Sequence, residues 1–289
     1  MIKKIKYILQ AIIIYSFLIF IKLIGLNLSR KIFSSLFKKV GPYIKSKNIV
    51  ENNLNKFMGS YNEDKKKEIV NNMWSNYAST FVEYLFLKNF RNSNDHIFIK
   101  GENIIKRIVE ENKPVIFVSG HFANFELMSM ELNKKNLKLA TIYRPLNNLF
   151  INPFMEHSRR TYVCKNQIKK GIAGVKEAID YIKKNYSVAL MIDQRVSEGK
   201  RLPFFGHLAL TTTLPAQLAL KYNLDIVPVY IARKKDNKFE MEVYEPIKIF
   251  NNIETETKKL DITLQLNKIL EQMISKDPSQ WIWTHNRWK

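Results

Sequence analysis

The chain has 289 residues, of which 46% are hydrophobic, so it can bury a full core and is not a disordered protein. Its formal charge is +21, from 47 Lys and Arg against 26 Asp and Glu. Such an excess predicts an acidic partner: nucleic acid, an anionic membrane surface or an acidic protein. Part of it is compositional, because Lys, Asn and Ile are all abundant. A single cysteine, Cys164, excludes an intrachain disulfide and a cysteine-built metal cage.

Tyr7 to Leu28 is the only long apolar run, with its strongest stretch from Ala11 to Leu23. That stretch is short for a clean span, which needs about 20 residues. Lys3, Lys4 and Lys6 precede the run, and Arg30, Lys31, Lys38 and Lys39 follow it. Basic flanks on an apolar helix suit an anchor that lies in, or dips into, the cytoplasmic leaflet. A buried core helix is the other reading. No small-x-small cleavage site follows the run. The expected organisation is a membrane anchor over 1–28 and a catalytic body over 29–289.

Residues 29–65 are basic, rich in Asn and marked by Gly41-Pro42 and Gly59-Ser60, so they read as a connection from anchor to body. Residues 66–90 carry Trp74, Tyr77, Phe81, Tyr84, Leu85 and Leu87 at helical spacing, the pattern of a core-facing stripe. From 97 onward strands and helices alternate. Strands are expected at 97–99, 115–118, 137–143, 188–192 and 226–231, with 239–244 as an edge strand. Helices are expected at 102–112, 123–135, 150–161, 171–184, 214–222 and 257–275. This alternation predicts an α/β fold with a mixed, mainly parallel sheet covered by helices.

Ligands of open α/β sheets bind outside the carboxyl ends of the strands. Polar residues follow four of the expected strands there: His121, Arg144, the pair Asp193 and Arg195, and Arg233. The stretch Ser119-Gly120-His121-Phe122-Ala123-Asn124-Phe125-Glu126 carries the chemistry. It sets a histidine in a strand-to-helix turn and a carboxylate in the first turns of the helix. Glu126 is expected to hydrogen-bond one imidazole nitrogen of His121 and leave the other as general base. The helix start offers free backbone N–H groups to a developing oxyanion. Arg144, in Tyr143-Arg144-Pro145, is a candidate for binding a phosphate, a carboxylate or that oxyanion, with a structural salt bridge as the alternative. Arg159 and Arg160, in a helical stretch about 15 residues on, are expected to aim at the same pocket. Asp193-Gln194-Arg195 is a candidate for holding one of these arginines or orienting substrate, with a structural ion pair as the alternative.

No His-Glu-x-x-His pattern or similar cluster exists, so no metal is expected. No glycine fingerprint for a nucleotide is present, and no nucleic-acid motif interleaves the basic residues with aromatics. Pro203-Phe204-Phe205-Gly206 reads as a loop leading to a threonine-capped helix with Pro215 in its first turn. The tail from Trp281 to Lys289 holds three tryptophans and reads either as an interfacial patch or as a cap on the core.

Taken together, these motifs resemble the lipid A biosynthesis acyltransferases, the late lauroyl and myristoyl transferases of Gram-negative inner membranes. The resemblance runs through the apolar N-terminus, residues 119–126, Tyr143-Arg144-Pro145, Asp193-Gln194, residues 203–206, the threonine run 211–213 and the tryptophan-rich tail. It implies a glycerol-phosphate-acyltransferase-like fold and a catalytic domain facing the cytoplasm on the inner membrane. It also implies transfer of an acyl chain from acyl carrier protein to a hydroxyl of a Kdo-bearing lipid A precursor, with no cofactor. On that model His121 is the base, Glu126 its partner, and Arg144, Arg159 and Asp193 complete the site. The partners are the carrier protein, the lipid precursor and the membrane surface, with no nucleic acid. A phosphatidylinositol mannoside or a glycerophospholipid is the alternative acceptor.

Overall fold

In the computed structural model, which describes residues 2–44, 47–59, 62–248 and 255–289, Gly25 breaks the apolar N-terminus at a positive φ of 79°. Helices α1 (Ile2–Ile24) and α2 (Leu26–Ile44) meet there. Residues expected to form a connection are thus helical. They belong to α2, to α3 (Lys47–Met58) and to the start of α4 (Glu63–Glu83), which Asn62 caps by accepting from Lys65 N–H at 3.0 Å. Gly41-Pro42 is not a turn but lies inside α2. A Cβ on Gly41 would stand 2.2 Å from the Trp74 ring, so glycine here permits close contact of α2 with α4 rather than reversing the chain. The Gly59-Ser60 turn lies partly outside the described residues.

After α5 (Leu87–Asn92) come β1 (Ile97–Lys100), α6 (Glu102–Glu111), β2 (Ile116–Ser119), α7 (Glu126–Lys134) and β3 (Leu139–Tyr143). Then follow α8 (Asn152–Ser158), β4 (Asn166–Lys169), α9 (Ile172–Lys183) and β5 (Ser187–Met191). A hairpin of β6 (Lys200–Phe204) and β7 (His207–Thr211) precedes α10 (Leu214–Tyr222), β8 (Ile226–Arg233), β9 (Phe239–Val243) and α11 (Glu256–Lys276).

Seven strands form one sheet in the order β1-β9-β8-β2-β5-β3-β4. Every neighbouring pair is parallel except β8 with β9. The central strands β2, β5 and β8 are buried along nearly their whole length, as strands covered on both faces must be. One face carries α6 and α7, and the other α10, α11 and the C-terminal tail. The mainly parallel, helix-covered sheet is therefore as expected, with three local differences.

First, β9 is not an edge: β1 lies outside it, which agrees with the alternating burial of β9. Second, β4 forms the other edge, concealed in the sequence because Asn166-Gln167-Ile168-Lys169 has one apolar residue. Third, residues 200–211 are a hairpin rather than a loop. Phe205 and Gly206 both have positive φ, 49° and 74°, the geometry of a two-residue turn that matches strand twist.

Helix α1 is the one described helix long and apolar enough to cross a membrane, and most of its surface stays unburied. It is nonetheless docked. The Tyr15 hydroxyl donates to the Phe150 carbonyl at 2.8 Å, and the Asn148 amide donates to the Tyr7 carbonyl at 2.9 Å.

Candidate active site

Strands β2 and β5 are parallel neighbours in a register that pairs Ser119 with Met191. Two residues beyond each strand end stand His121 and Asp193, so the sheet itself brings them together. His121 Nδ1 lies 2.8 Å from Asp193 Oδ1, and the His121 backbone N–H donates to Oδ2 at 2.7 Å. The Trp281 indole N–H donates to the same Oδ2 at 2.9 Å. Burial of Asp193 works against its ionisation, but the His121 ring and the hydrogen bonds from His121 and Trp281 outweigh it and hold the carboxyl below the usual range. Gly120 permits close packing in this turn: a Cβ there would come within 2.8 Å of the Phe122 ring and 3.2 Å of Asp193 Oδ2.

The carboxylate that holds His121 is thus Asp193, which corrects the expected pairing with Glu126. Glu126 stands at the N-terminus of α7 and faces a different partner. It accepts from Arg159 Nε at 2.8 Å and from an Arg159 terminal nitrogen at 2.6 Å, and also from the Tyr84 hydroxyl. Arg159 donates to the Tyr84 oxygen at 3.1 Å and lies over the Tyr143 ring. Burial disfavours the Arg159 charge, yet Glu126 and Tyr84 raise its pKa further above an already high value. Burial, and then the Glu126 charge, push Tyr84 well above the ordinary phenol range, so it stays a hydroxyl. Arg159 opens a π-helical turn, Arg159–Val163, that extends α8, with Cys164 N–H donating to its carbonyl at 2.9 Å. Such wide turns often mark functional sites.

His121, Glu126, Arg144 and Arg159 all line one pocket of about 390 Å³ at the carboxyl ends of β3 and β5, a volume typical of small-ligand sites. Asp193 sits fully buried behind His121. Among the described residues His121 Nε2 has no hydrogen-bond partner, so that nitrogen is available to a ligand. Arg144 is exposed and, among the described residues, forms no ion pair. Lys170 shares the pocket and was not singled out from the sequence. Burial, and then the neighbouring Arg144 charge, lower its pKa. The expected free N–H groups at the start of α7 are partly used: those of Leu127 and Met128 donate to the carbonyls of Asn124 and Phe125.

Arg233, expected at the site, is turned away. It pairs with the fully buried Glu83, which also binds Arg30 at 2.7 Å. This cluster supports the His121 turn from below. Asn124 donates to Glu83 at 2.9 Å, and the Thr80 hydroxyl donates to the Ala123 carbonyl at 3.0 Å. Ala123 itself is held at φ +44°, a conformation alanine rarely adopts. Arg195 donates its backbone N–H to His285 Nε2 at 2.9 Å. In the tail Trp281, Trp283 and Arg287 are buried, so it caps the core. Among the described residues no group of three or more His, Cys, Asp or Glu could hold a metal ion.

The chain belongs to the bacterial lipid A biosynthesis acyltransferase family, whose model matches residues 2–289. It is 25% identical to the lipid A biosynthesis palmitoleoyltransferase of Escherichia coli (strain K12) over 197 residues, 66% of this chain and 61% of that protein. It is 23% identical to lipid A biosynthesis acyltransferase 2 of Shigella flexneri over 226 residues, 76% of this chain and 70% of that one. The match thus spans about three fifths of the length of the first relative. Among solved structures, a 1-acyl-sn-glycerophosphate acyltransferase from Thermotoga maritima aligns over 86% of this chain and 98% of that one. Its identity is 16% and its TM-score 0.39.

Proposed function

We propose that this protein transfers a fatty acyl chain from acyl carrier protein to a hydroxyl of a Kdo-bearing lipid A precursor. The observation that carries this reading is the His121–Asp193 pair, with Nδ1 occupied and Nε2 lining a pocket that also holds cations. Asp193 fixes the tautomer and stabilises the imidazolium that forms. His121 Nε2 removes the acceptor hydroxyl proton as the oxygen attacks the thioester carbonyl. The tetrahedral oxyanion then collapses, the C–S bond breaks, and the imidazolium returns its proton to the thiolate. The thioester is already activated, so alignment and oxyanion stabilisation suffice.

Glu126 acts by holding Arg159 in the pocket wall, where its guanidinium stabilises the oxyanion. Arg144 and Lys170 bind an acidic group of the acceptor. The excess of +21 suits an acidic carrier protein and an anionic lipid surface. Residues 1–28 anchor the body (29–289) to the inner membrane, with the pocket on the cytoplasmic side. In support, α1 is docked on the loop carrying Asn148 and Phe150, next to pocket-lining Leu146 and Asn147.

Mass spectrometry of the purified protein with acyl carrier protein donors and the Kdo-bearing precursor tests the reading. A gain of one acyl chain, absent with His121→Ala, is expected. No gain with any donor, but product on a phosphatidylinositol mannoside or glycerol-phosphate acceptor, would replace the acceptor. No product on either would remove the reaction.

A further inference from the structure

Helix α1 does not project from the body but lies along it. Ala11, Leu18 and Ile21 face inward and are buried, while Leu9, Ile12, Ile13, Ile19 and Leu23 stay exposed on the outer side. Between Tyr7 and Tyr15 the helix meets the loop of residues 144–151 that joins β3 to α8. The Asn148 amide reaches both the Tyr7 carbonyl and, at 3.4 Å, the Gln10 side chain, and the Tyr15 ring meets Phe154 edge-on. A loop fixed to an anchor helix at several points shares the depth of that helix.

The loop is apolar outside and satisfied inside. Leu149 is 74% exposed, and Leu146 and Phe150 are exposed beside it. Pro145 to Met155 contains no charged residue, in a chain of which 25% is charged, so this surface is not an ordinary solvated loop. Its backbone is paired from within. The Asn148 side chain accepts from the Phe150 N–H at 3.0 Å, and the Asn148 carbonyl accepts from the N–H groups of Ile151 and Asn152. The Asn152 side chain accepts from the Leu146 N–H at 2.8 Å, and the Phe150 carbonyl takes the Tyr15 hydroxyl. Irregular backbone can approach hydrocarbon only with its polar groups satisfied, and in water such pairing is not needed.

We propose that the β3–α8 loop is a lip that dips, together with α1, into the boundary between headgroups and acyl chains of the bilayer. This rests on the reading of α1 as the membrane anchor. Leu146 and Asn147 of the same loop line the pocket, so the pocket opens to the leaflet on this side. The acceptor lipid then reaches His121 sideways, with its acyl chains still among other lipids, and is not lifted into water. Lys3, Lys4 and Lys6 at the head of α1 favour anionic headgroups on this face over a second copy that carries the same charges.

The test places one reporter at the lip of the full chain. Cys164 is the only cysteine and is buried, so Leu149→Cys adds a single accessible thiol. An environment-sensitive fluorophore there is compared with the same label on Ile12→Cys in α1 and on Lys113→Cys, exposed before β2 at the opposite end of the sheet. The proteins are bound to vesicles of phosphatidylethanolamine and phosphatidylglycerol that contain lipids spin-labelled on the acyl chain. Quenching at 149 and at 12 is expected to be several times stronger than at 113. Quenching at 12 but not at 149 would overturn the lip and leave the anchor in place. Quenching at neither would remove the anchor, and the lip with it. A label at 149 that is shielded from water yet untouched by the spin-labelled lipid would give this face to a second copy and also overturn the proposal. A second readout uses turnover. Leu149→Asp leaves the pocket-lining residues as they are, so kcat and the donor KM should stay close to wild type. The KM for precursor held in vesicles should rise about tenfold, the scale of one leucine denied an apolar environment. A precursor KM unchanged from wild type in an active variant would overturn entry across the lip.

Discussion

Asp193 and Glu83 are carboxylates with no exposed surface, and both hold the same turn, Asp193 through His121 and Glu83 through Asn124. Asp193 faces an imidazole whose second nitrogen opens to the pocket, whereas Glu83 is enclosed by the guanidinium groups of Arg30 and Arg233. A carboxylate beside imidazole belongs to a pair whose net charge changes when one proton moves. A carboxylate between two guanidiniums cannot take part in proton traffic, because arginine keeps its charge. Even there the charge is strained: burial, offset only in part by Glu83 and aggravated by Arg233, lowers the pKa of Arg30. On the proposed reading the first pair does the chemistry, while the second fixes α2, α4, β8 and the His121 turn to one another.

Substitutions should separate these roles. The largest effect on rate is expected from His121→Ala, a fall in kcat of at least about 100-fold with thermal stability nearly unchanged. A folded variant with near-normal turnover would take the base out of the mechanism. Asp193→Asn should come next, lowering kcat by roughly 100-fold through the wrong tautomer and shifting the acid limb of the pH–rate profile. Glu126→Gln should also slow the enzyme, but by releasing Arg159, so the acid limb should stay in place. An acid limb that moved with Glu126 and not with Asp193 would reverse the assignment of the two carboxylates.

Glu83→Gln should invert the pattern. It leaves two buried guanidiniums uncompensated, a change that costs about 3–5 kcal/mol when one partner of a buried pair is lost. Denaturant unfolding would read this as a lower midpoint, while the folded fraction keeps a wild-type KM. A midpoint within error of wild type would mean that the cluster does not hold the turn.

The sequence made the catalytic end of the sheet legible, but not its pairings. His121, Arg144 and Asp193 were findable because each follows a strand with a clear apolar signature. The assignment of Glu126 to His121 failed because closeness in sequence was used where closeness in the sheet decides. Residues 121 and 193 meet through the β2–β5 register, and strand order is a long-range property that no local pattern carries. Arg233 failed for a related reason: its strand ends on the same edge as β2, but there α4 covers that end, and the guanidinium meets Asn76, Thr80 and Glu83 rather than the pocket. Tyr84 was visible as part of an apolar helical stripe, and only packing reveals that its hydroxyl meets Glu126 and Arg159. Lys170 was missed with β4, whose polar composition hides a strand.

The smallest expected effect concerns His285, near the Asp193 pair, which accepts the Arg195 backbone N–H. Burial lowers its pKa from 6.5 to about 4, opposed by the Asp193 charge and aided by the Arg287 and Lys170 charges. In the folded protein His285 is neutral where an unfolded chain would be protonated. Between pH 6.5 and 4 the unfolded state therefore binds more protons, and stability falls as pH falls through that window. His285→Gln retains an acceptor but cannot titrate. Its stability should decline less steeply over the same window, which thermal melts at several pH values would show. Parallel pH profiles for the variant and wild type would show that burial of His285 does not set the acid sensitivity of the fold in this window.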